Sequence, residues 1–171
     1  MATETVSGID VVDLRHVDPG KVAGWLVHLA DNLRGSDAAE VKASSGIAPR
    51  DCLHLSFRMS SHAYAVLDRA GEPVAIFGAV PHPVPGIGIV WMLGTDGIKR
   101  NAAAIARQTR PRLDDLNRAY VTLWNYVDAR NALSLRWLRW GGFDCLAENR
   151  THGVERRPFH IYARTRKPGH V

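Results

Sequence analysis

Apolar positions along the chain change period several times, and each change marks an element. Ile9 to Leu14 (IDVVDL) reads as a short strand. Asp18-Pro19 then offers an N-cap followed by proline at the first helical position. That predicts a helix to about Leu33, with Val22, Trp25, Leu26 and Leu29 on one face. Asp37-Ala-Ala-Glu40 has the spacing of a capping box and predicts a short second helix ending before Gly46. Pro49 opens a third helix carrying Leu53, Leu55, Phe57 and Met59. The period then shortens. Ala63–Leu67 and Pro73–Val80 read as strands joined by a glycine turn at Asp68–Gly71. A loop rich in proline (Pro81, Pro83, Pro85) leads into the buried strand Ile87–Leu93. A long helix is expected from about Lys99 to Tyr120, kinked or divided at Pro111. Val121–Val127 reads as a strand and Asn131–Trp140 as an amphipathic helix closed by Gly141-Gly142. Phe143–Leu146 and Phe159–Ala163 complete the series as strands, with a turn at His152-Gly153. This order predicts an α/β (α+β) fold: a mixed central sheet of about six to seven strands with helices on both faces.

Composition changes the picture little. At 171 residues, 46% hydrophobic and 23% charged, the chain is expected to form one domain over residues 1–171, with a basic tail from about Arg164. No apolar run reaches the roughly 20 residues a membrane helix needs, so no membrane partner is expected. The opening residues lack the pattern of a secretory signal, which points to a cytosolic protein. Cys52 and Cys145, far apart and each beside apolar residues, read as two buried thiols. No metal-ligating spacing occurs.

Charge is asymmetric. Residues 1–98 hold 7 Lys/Arg against 11 Asp/Glu, whereas residues 99–171 hold 15 against 6. A solvated basic helix face with a ragged tail accounts for the second half. Nucleic acid is the alternative partner there, disfavoured because the basic residues are not interleaved with aromatics.

Local sequence carries a resemblance. The segment Val127–Phe143 resembles the late part of the GNAT N-acetyltransferases, where a strand ends, an Asn follows and a helix runs to Gly-Phe. Asn32–Val41 (NLRGSDAAEV), Gly71–Gly78 (GEPVAIFG), Trp91–Asp96 (WMLGTD) and Leu123–Phe143 together resemble a narrower group. These are small GNAT-like proteins of phages and prophages, including an internal virion protein of short-tailed phages. The resemblance implies a structural or virion-associated component. It implies other phage structural proteins or self-association as partners. The location it implies is the host bacterial cytoplasm, with packaging into the virion. The alternative it implies is an acetyl-CoA-dependent N-acetyltransferase acting on a small amine or a protein amine.

Acyl transfer from acetyl-CoA needs a gap between two parallel strands, backbone N–H groups for the pyrophosphate, a base for the amine and an acid for the thiolate. The strands at Ile87–Leu93 and Val121–Val127 are the candidates for the gap. Leu93, Gly94, Thr95, Gly97, Lys99, Arg100 and Asn131 are the cofactor-binding candidates that the resemblance implies. The superfamily's Arg/Gln-x-x-Gly-x-Gly/Ala loop is absent, however, and Asp96 stands where a phosphate would approach. Gly94–Gly97 also reads as a plain strand-to-helix turn, with Thr95 or Asp96 capping the helix. Asn131 reads first as an N-cap, with a ligand contact as the alternative. Asn125, Arg34, Asp37 and Glu40 are pocket-lining candidates. Against that role stand a satisfied core amide for Asn125 and capping or ion pairing for the other three. The superfamily's frequent tyrosine acid falls at Leu138, which cannot donate a proton. Tyr120 and Tyr126 remain as donors, and the catalytic residues stay unassigned.

Overall fold

The computed structural model describes residues 8–166. Its order is β1 (Ile9–Asp13), α1 (Pro19–Asp31), α2 (Gly35–Ser45), α3 (Pro49–Met59), β2 (His62–Asp68), β3 (Pro73–Pro81) and β4 (Ile87–Gly94). There follow α4 (Gly97–Ala119), β5 (Thr122–Asp128), α5 (Ala132–Trp140), β6 (Asp144–His152) and β7 (Arg157–Thr165). The seven strands form one mixed sheet in the order β1-β2-β3-β4-β5-β7-β6. Every pairing is antiparallel except β4–β5, which is parallel.

Side chains alternate across the pleat, so each face of the sheet builds its own core. On one face Val66, Phe77, Val90, Leu123 and Tyr162 meet Ile105, Leu113 and Leu116 of α4 and Leu135, Trp137 and Leu138 of α5. On the other, Ala65, Ile76 and Leu93 meet Trp25, Leu26 and Leu29 of α1, Val41 of α2 and Leu53 of α3. The helical periodicity read for α1 is its burial pattern, whereas on α3 Leu53 is buried but Leu55 and Met59 are exposed. The edge strand β6 is exposed along most of its length and carries charges (Asp144, Glu148, Arg150), which discourage further strand addition.

Five expectations are corrected. The helix after Asn32 starts at Gly35, with Arg34 at the N-cap position and no side-chain cap, so Asp37 and Glu40 do not form a capping box. Both carboxylates are instead drawn to the strand ends described below. Pro111 does not divide α4, which runs unbroken for 23 residues. Pro111 and Arg107, whose carbonyl loses its i+4 donor, both lie on the solvent face, where water can serve that carbonyl. The last two strands extend well past their apolar cores, to His152 and Thr165, because pairing to a neighbour rather than burial sustains them. Arg164 consequently belongs to β7 rather than to a tail, and Lys167 to Val171 lie outside the described residues. Finally, Cys145 is exposed on β6 and Cys52 only half-buried.

Among the described residues no helix is long and apolar enough to cross a membrane.

Candidate functional site: the wedge between β4 and β5

Parallel pairing between β4 and β5 lasts three residues: Ile87 with Thr122, Gly88 with Leu123 and Ile89 with Trp124. Beyond Ile89 the strands diverge and leave an open wedge toward their C-terminal ends. Each strand then presents backbone groups without a ladder partner, and such groups must find other partners when buried. The sequence-based expectation of a gap between these strands is met.

Side chains of the chain itself fill the wedge. The Asn125 amide donates to the Val90 carbonyl at 2.7 Å, crossing from β5 to β4. Its own oxygen accepts from the Tyr126 N–H at 2.7 Å, so Asn125 is a satisfied amide spanning the gap. Further along, α2 lies across the opening. Asp37 accepts from the Gly94 N–H at the end of β4 at 3.0 Å. Glu40, one turn on, accepts from the Asp128 N–H at the end of β5 at 3.1 Å.

These carboxylates belong to a larger buried cluster. Arg34, only 2% exposed, donates through Nε and Nη2 to the two Asp37 oxygens at 2.8 and 2.6 Å. Its Nη2 also reaches Asn131 Oδ1 and Ser134 Oγ. Asn131 donates through Nδ2 to Asp37 at 3.0 Å and to Glu40 at 2.9 Å, while its Oδ1 caps α5 by accepting from the Ser134 N–H. Asn131 is thus an N-cap with every polar atom engaged, and it is 1% exposed. Burial pushes the Glu40 carboxyl up to about 7; the Asn131 hydrogen bond opposes this and the neighbouring Asp37 charge adds to it.

The turn that would receive a pyrophosphate is closed in the same way. Gly94 donates to Asp37, Thr95 to the Val74 carbonyl, Gly97 to Thr95 Oγ1, Ile98 to the Thr95 carbonyl and Lys99 to the Asp96 carbonyl. The helix is capped by Thr95; Asp96 makes no cap bond and instead pairs with Lys99 at 2.7 Å. The Asp96 carboxyl lies below the usual range because of that Lys99 contact. Packing accounts for the glycines. A Cβ on Gly94 would stand 2.3 Å from Ile98 Cδ1 and 2.5 Å from the Val74 carbonyl, and one on Gly97 would stand 2.7 Å from Val74 Cγ1. Of the cofactor-binding candidates, Leu93, Gly94, Thr95, Gly97 and Asn131 are buried in protein contacts, while Lys99 and Arg100 are exposed.

What space remains is small. A cavity of about 30 Å³, the size of one water, lies inside the wedge between Glu40, Val90, Met92, Asn125, Trp137 and Leu138. Glu40 and Asn125 line it, whereas Arg34 and Asp37 do not. Leu138 sits in its wall, 3% exposed, and the one hydroxyl lining the cavity, that of Ser134, accepts from Arg34 Nη2 at 2.8 Å. Tyr120 is bonded to Ser61 Oγ at 2.6 Å, and Tyr126 stacks on His152 at 4.1 Å between centroids; neither lines the cavity.

A separate groove of about 350 Å³ runs between α4 and α5. Met92, Ile98, Ala103, Leu133 and Trp137 form its apolar floor, and Lys99 and Arg136 add two cations. Sequence reasoning missed Arg136, since the charge of one residue on an amphipathic helix says nothing of the groove beside it. At the wedge and the following turn, by contrast, protein groups already hold the Val90 carbonyl and the N–H groups of Gly94, Thr95, Gly97, Ile98, Lys99 and Asp128. These residues therefore fit the reacting end and pyrophosphate of acetyl-CoA poorly.

No protein-family model and no curated protein sequence matches the chain. Solved structures do match it. A chimera of the spermidine N-acetyltransferase SpeG from Vibrio cholerae and hSSAT superposes with a TM-score of 0.65 at 9% identity, over 93% of this chain and 96% of that one. A GNAT-family acetyltransferase from Streptococcus pneumoniae gives 0.63 at 11% identity, over 92% of this chain and 98% of that one. The ribosomal-protein alpha-N-acetyltransferase RimL, solved in complex with coenzyme A, gives 0.65 at 11% identity, over 93% and 94%. Likeness at this level of identity carries the scaffold and no chemistry. None of these structures bears on the narrower resemblance to phage proteins. A seven-stranded mixed sheet that opens between β4 and β5, with helices on both faces, gives this chain the GNAT acetyltransferase fold.

Proposed function

We propose that this chain is a GNAT-fold structural component of a phage or prophage, virion-associated and without acetyltransferase activity. One observation carries the loss of activity. The wedge is closed by Asn125, Asp37 and Glu40, which hold the backbone groups a bound pantetheine would need. Leu138 at the acid position and the internally bonded turn at Gly94–Lys99 agree with it. The phage assignment rests on the resemblance of the segments Asn32–Val41, Gly71–Gly78, Trp91–Asp96 and Leu123–Phe143.

Thermal unfolding with and without acetyl-CoA tests the first half, with CoA as control. A ligand at a hundredfold excess over its dissociation constant stabilises by about 2.7 kcal/mol. For a chain of this size that raises Tm by about 5–10 °C. The expected result is no shift at millimolar ligand. Mass spectrometry of purified particles from the phage carrying the gene tests the second half, and absence of the protein from them would sink the structural role.

A second reading has its own support. The apolar groove with Lys99 and Arg136, and Glu40 with its carboxyl near neutrality beside the wedge, favour an acetyl-CoA-dependent N-acetyltransferase of a small or protein amine. A clear rise in Tm with acetyl-CoA would select it.

A further inference from the structure

The C-terminal half of α4 and the end of β7 enclose a depression of about 500 Å³, well away from the wedge. Four guanidinium groups line it: Arg110, Arg118, Arg164 and Arg166. Asp114 is the one carboxylate there, so the lining keeps a surplus of three positive charges.

The partners of these arginines are unevenly distributed. Arg118 is held by Asp115, in the last turn of α4, where a cation also suits the helix dipole. Arg110 and Arg166 are exposed and make no ion pair among the described residues. Arg164 differs from all three. Its side chain is 15% exposed, and Nη2 is paired with Asp114. Its Nη1 is buried without any hydrogen-bond partner, the one such side-chain atom among the described residues. A buried charged donor left unpaired is costly, and it persists in folded proteins where something else supplies the acceptor. Two unpaired guanidiniums, Arg110 and Arg166, beside the orphan donor of Arg164 call for an anion rich in oxygen acceptors. Guanidinium forks match phosphate geometry in two-point contacts.

We propose that this depression binds phosphate groups, engaging Arg110, Arg164 and Arg166 together. The phosphates can come from a nucleic-acid strand or from a small polyphosphate. This site lies apart from the wedge and the α4–α5 groove, so its test is independent of the acetyl-CoA measurement.

The test uses the full chain, a fluorescein-labelled single-stranded DNA 20-mer read by anisotropy at 50 and 200 mM salt, and inorganic pyrophosphate as competitor. Three phosphate contacts to a single strand give a log–log salt slope of about −2, hence about a 20-fold loss of affinity across that range. Arg110→Ala with Arg166→Ala, both at exposed positions, should leave the melting temperature intact. It should also cut the slope to about −0.7. Arg164→Lys, which keeps the charge but removes the fork, should weaken binding as well. The control pair Arg58→Ala with Arg150→Ala removes the same charge outside the depression and should retain the wild-type slope. Displacement of the strand by pyrophosphate places both on one site. Pyrophosphate bound with the strand rejected assigns that site to a small phosphorylated ligand. The proposal is overturned if neither probe binds at 50 mM salt, if the depression variant behaves as wild type, or if the control pair loses as much.

Discussion

Replacing Asp37 by Ala removes the acceptor on which the closure of the wedge depends. Asp37 is 1% exposed and takes four donors: two from Arg34, one from Asn131 and the Gly94 N–H. Without it the Arg34 guanidinium, itself almost fully buried, keeps only Asn131 and Ser134 as acceptors. Breaking a buried pair from one side costs about 3–5 kcal/mol, since the remaining charge is neither solvated nor neutralised. For a chain of this length that is a fall in Tm of about 6–20 °C. Equilibrium urea unfolding, followed by both tryptophan fluorescence and far-ultraviolet dichroism, measures the change directly. A second variant, Arg34→Met with Asp37→Leu, removes both partners, so neither member of the pair is left as a lone buried charge. It should recover a large part of the loss, though not the unpaired Gly94 N–H and Asn131 amide. The double-mutant cycle should therefore show coupling above about 1 kcal/mol. A loss below about 1 kcal/mol for Asp37→Ala would refute the reasoning, because it would mean that water reaches the cluster in the folded state.

Two further outcomes are expected. Glu40 is raised from 4.5 to about 7 in the folded protein, so the native state holds its proton longer than the unfolded chain. Its contribution is complete below about pH 4.5 and is lost as pH rises toward 7, with a slope of at most about 1.4 kcal/mol per pH unit. Denaturant unfolding across that window should show this decline in the wild type, and Glu40→Gln should remove it relative to wild type. Gly94→Ala places a methyl group against Ile98 and the Val74 carbonyl, which should cost about 1–3 kcal/mol by calorimetry. A neutral substitution would return that glycine to a ligand-binding role.

Much of the architecture was legible because its signals are local. Proline at the start of α1 and α3, the left-handed Gly46 after α2 and the continuous apolar run of β3 each act within a few residues. The site was harder to read. Asp37 and Glu40 lie one turn apart on α2, and capping and ion pairing with neighbours is what their spacing suggests. Their bonds to Gly94 and Asp128 join residues 57 and 88 positions apart, and nothing in sequence spacing encodes such a meeting. The same holds for Asn125, whose polarity within a strand signalled a partner without naming Val90. The orphan nitrogen of Arg164 had no sequence signal, since that residue read as part of a basic tail.

The three-residue parallel contact also has a bearing on how the molecule assembles. β2, β3 and β4 form one meander, and β6 and β7 form one hairpin, so each leaf of the sheet can close over short stretches of chain. Joining the leaves requires α4 to span the distance between β4 and β5, a loop closure that local contacts do not help. Asp37 and Glu40 come from a third segment, ahead of both strands, and fasten the seam only once both leaves are in place. The polar cluster is therefore a late clasp in folding, and its loss should speed unfolding more than it slows folding.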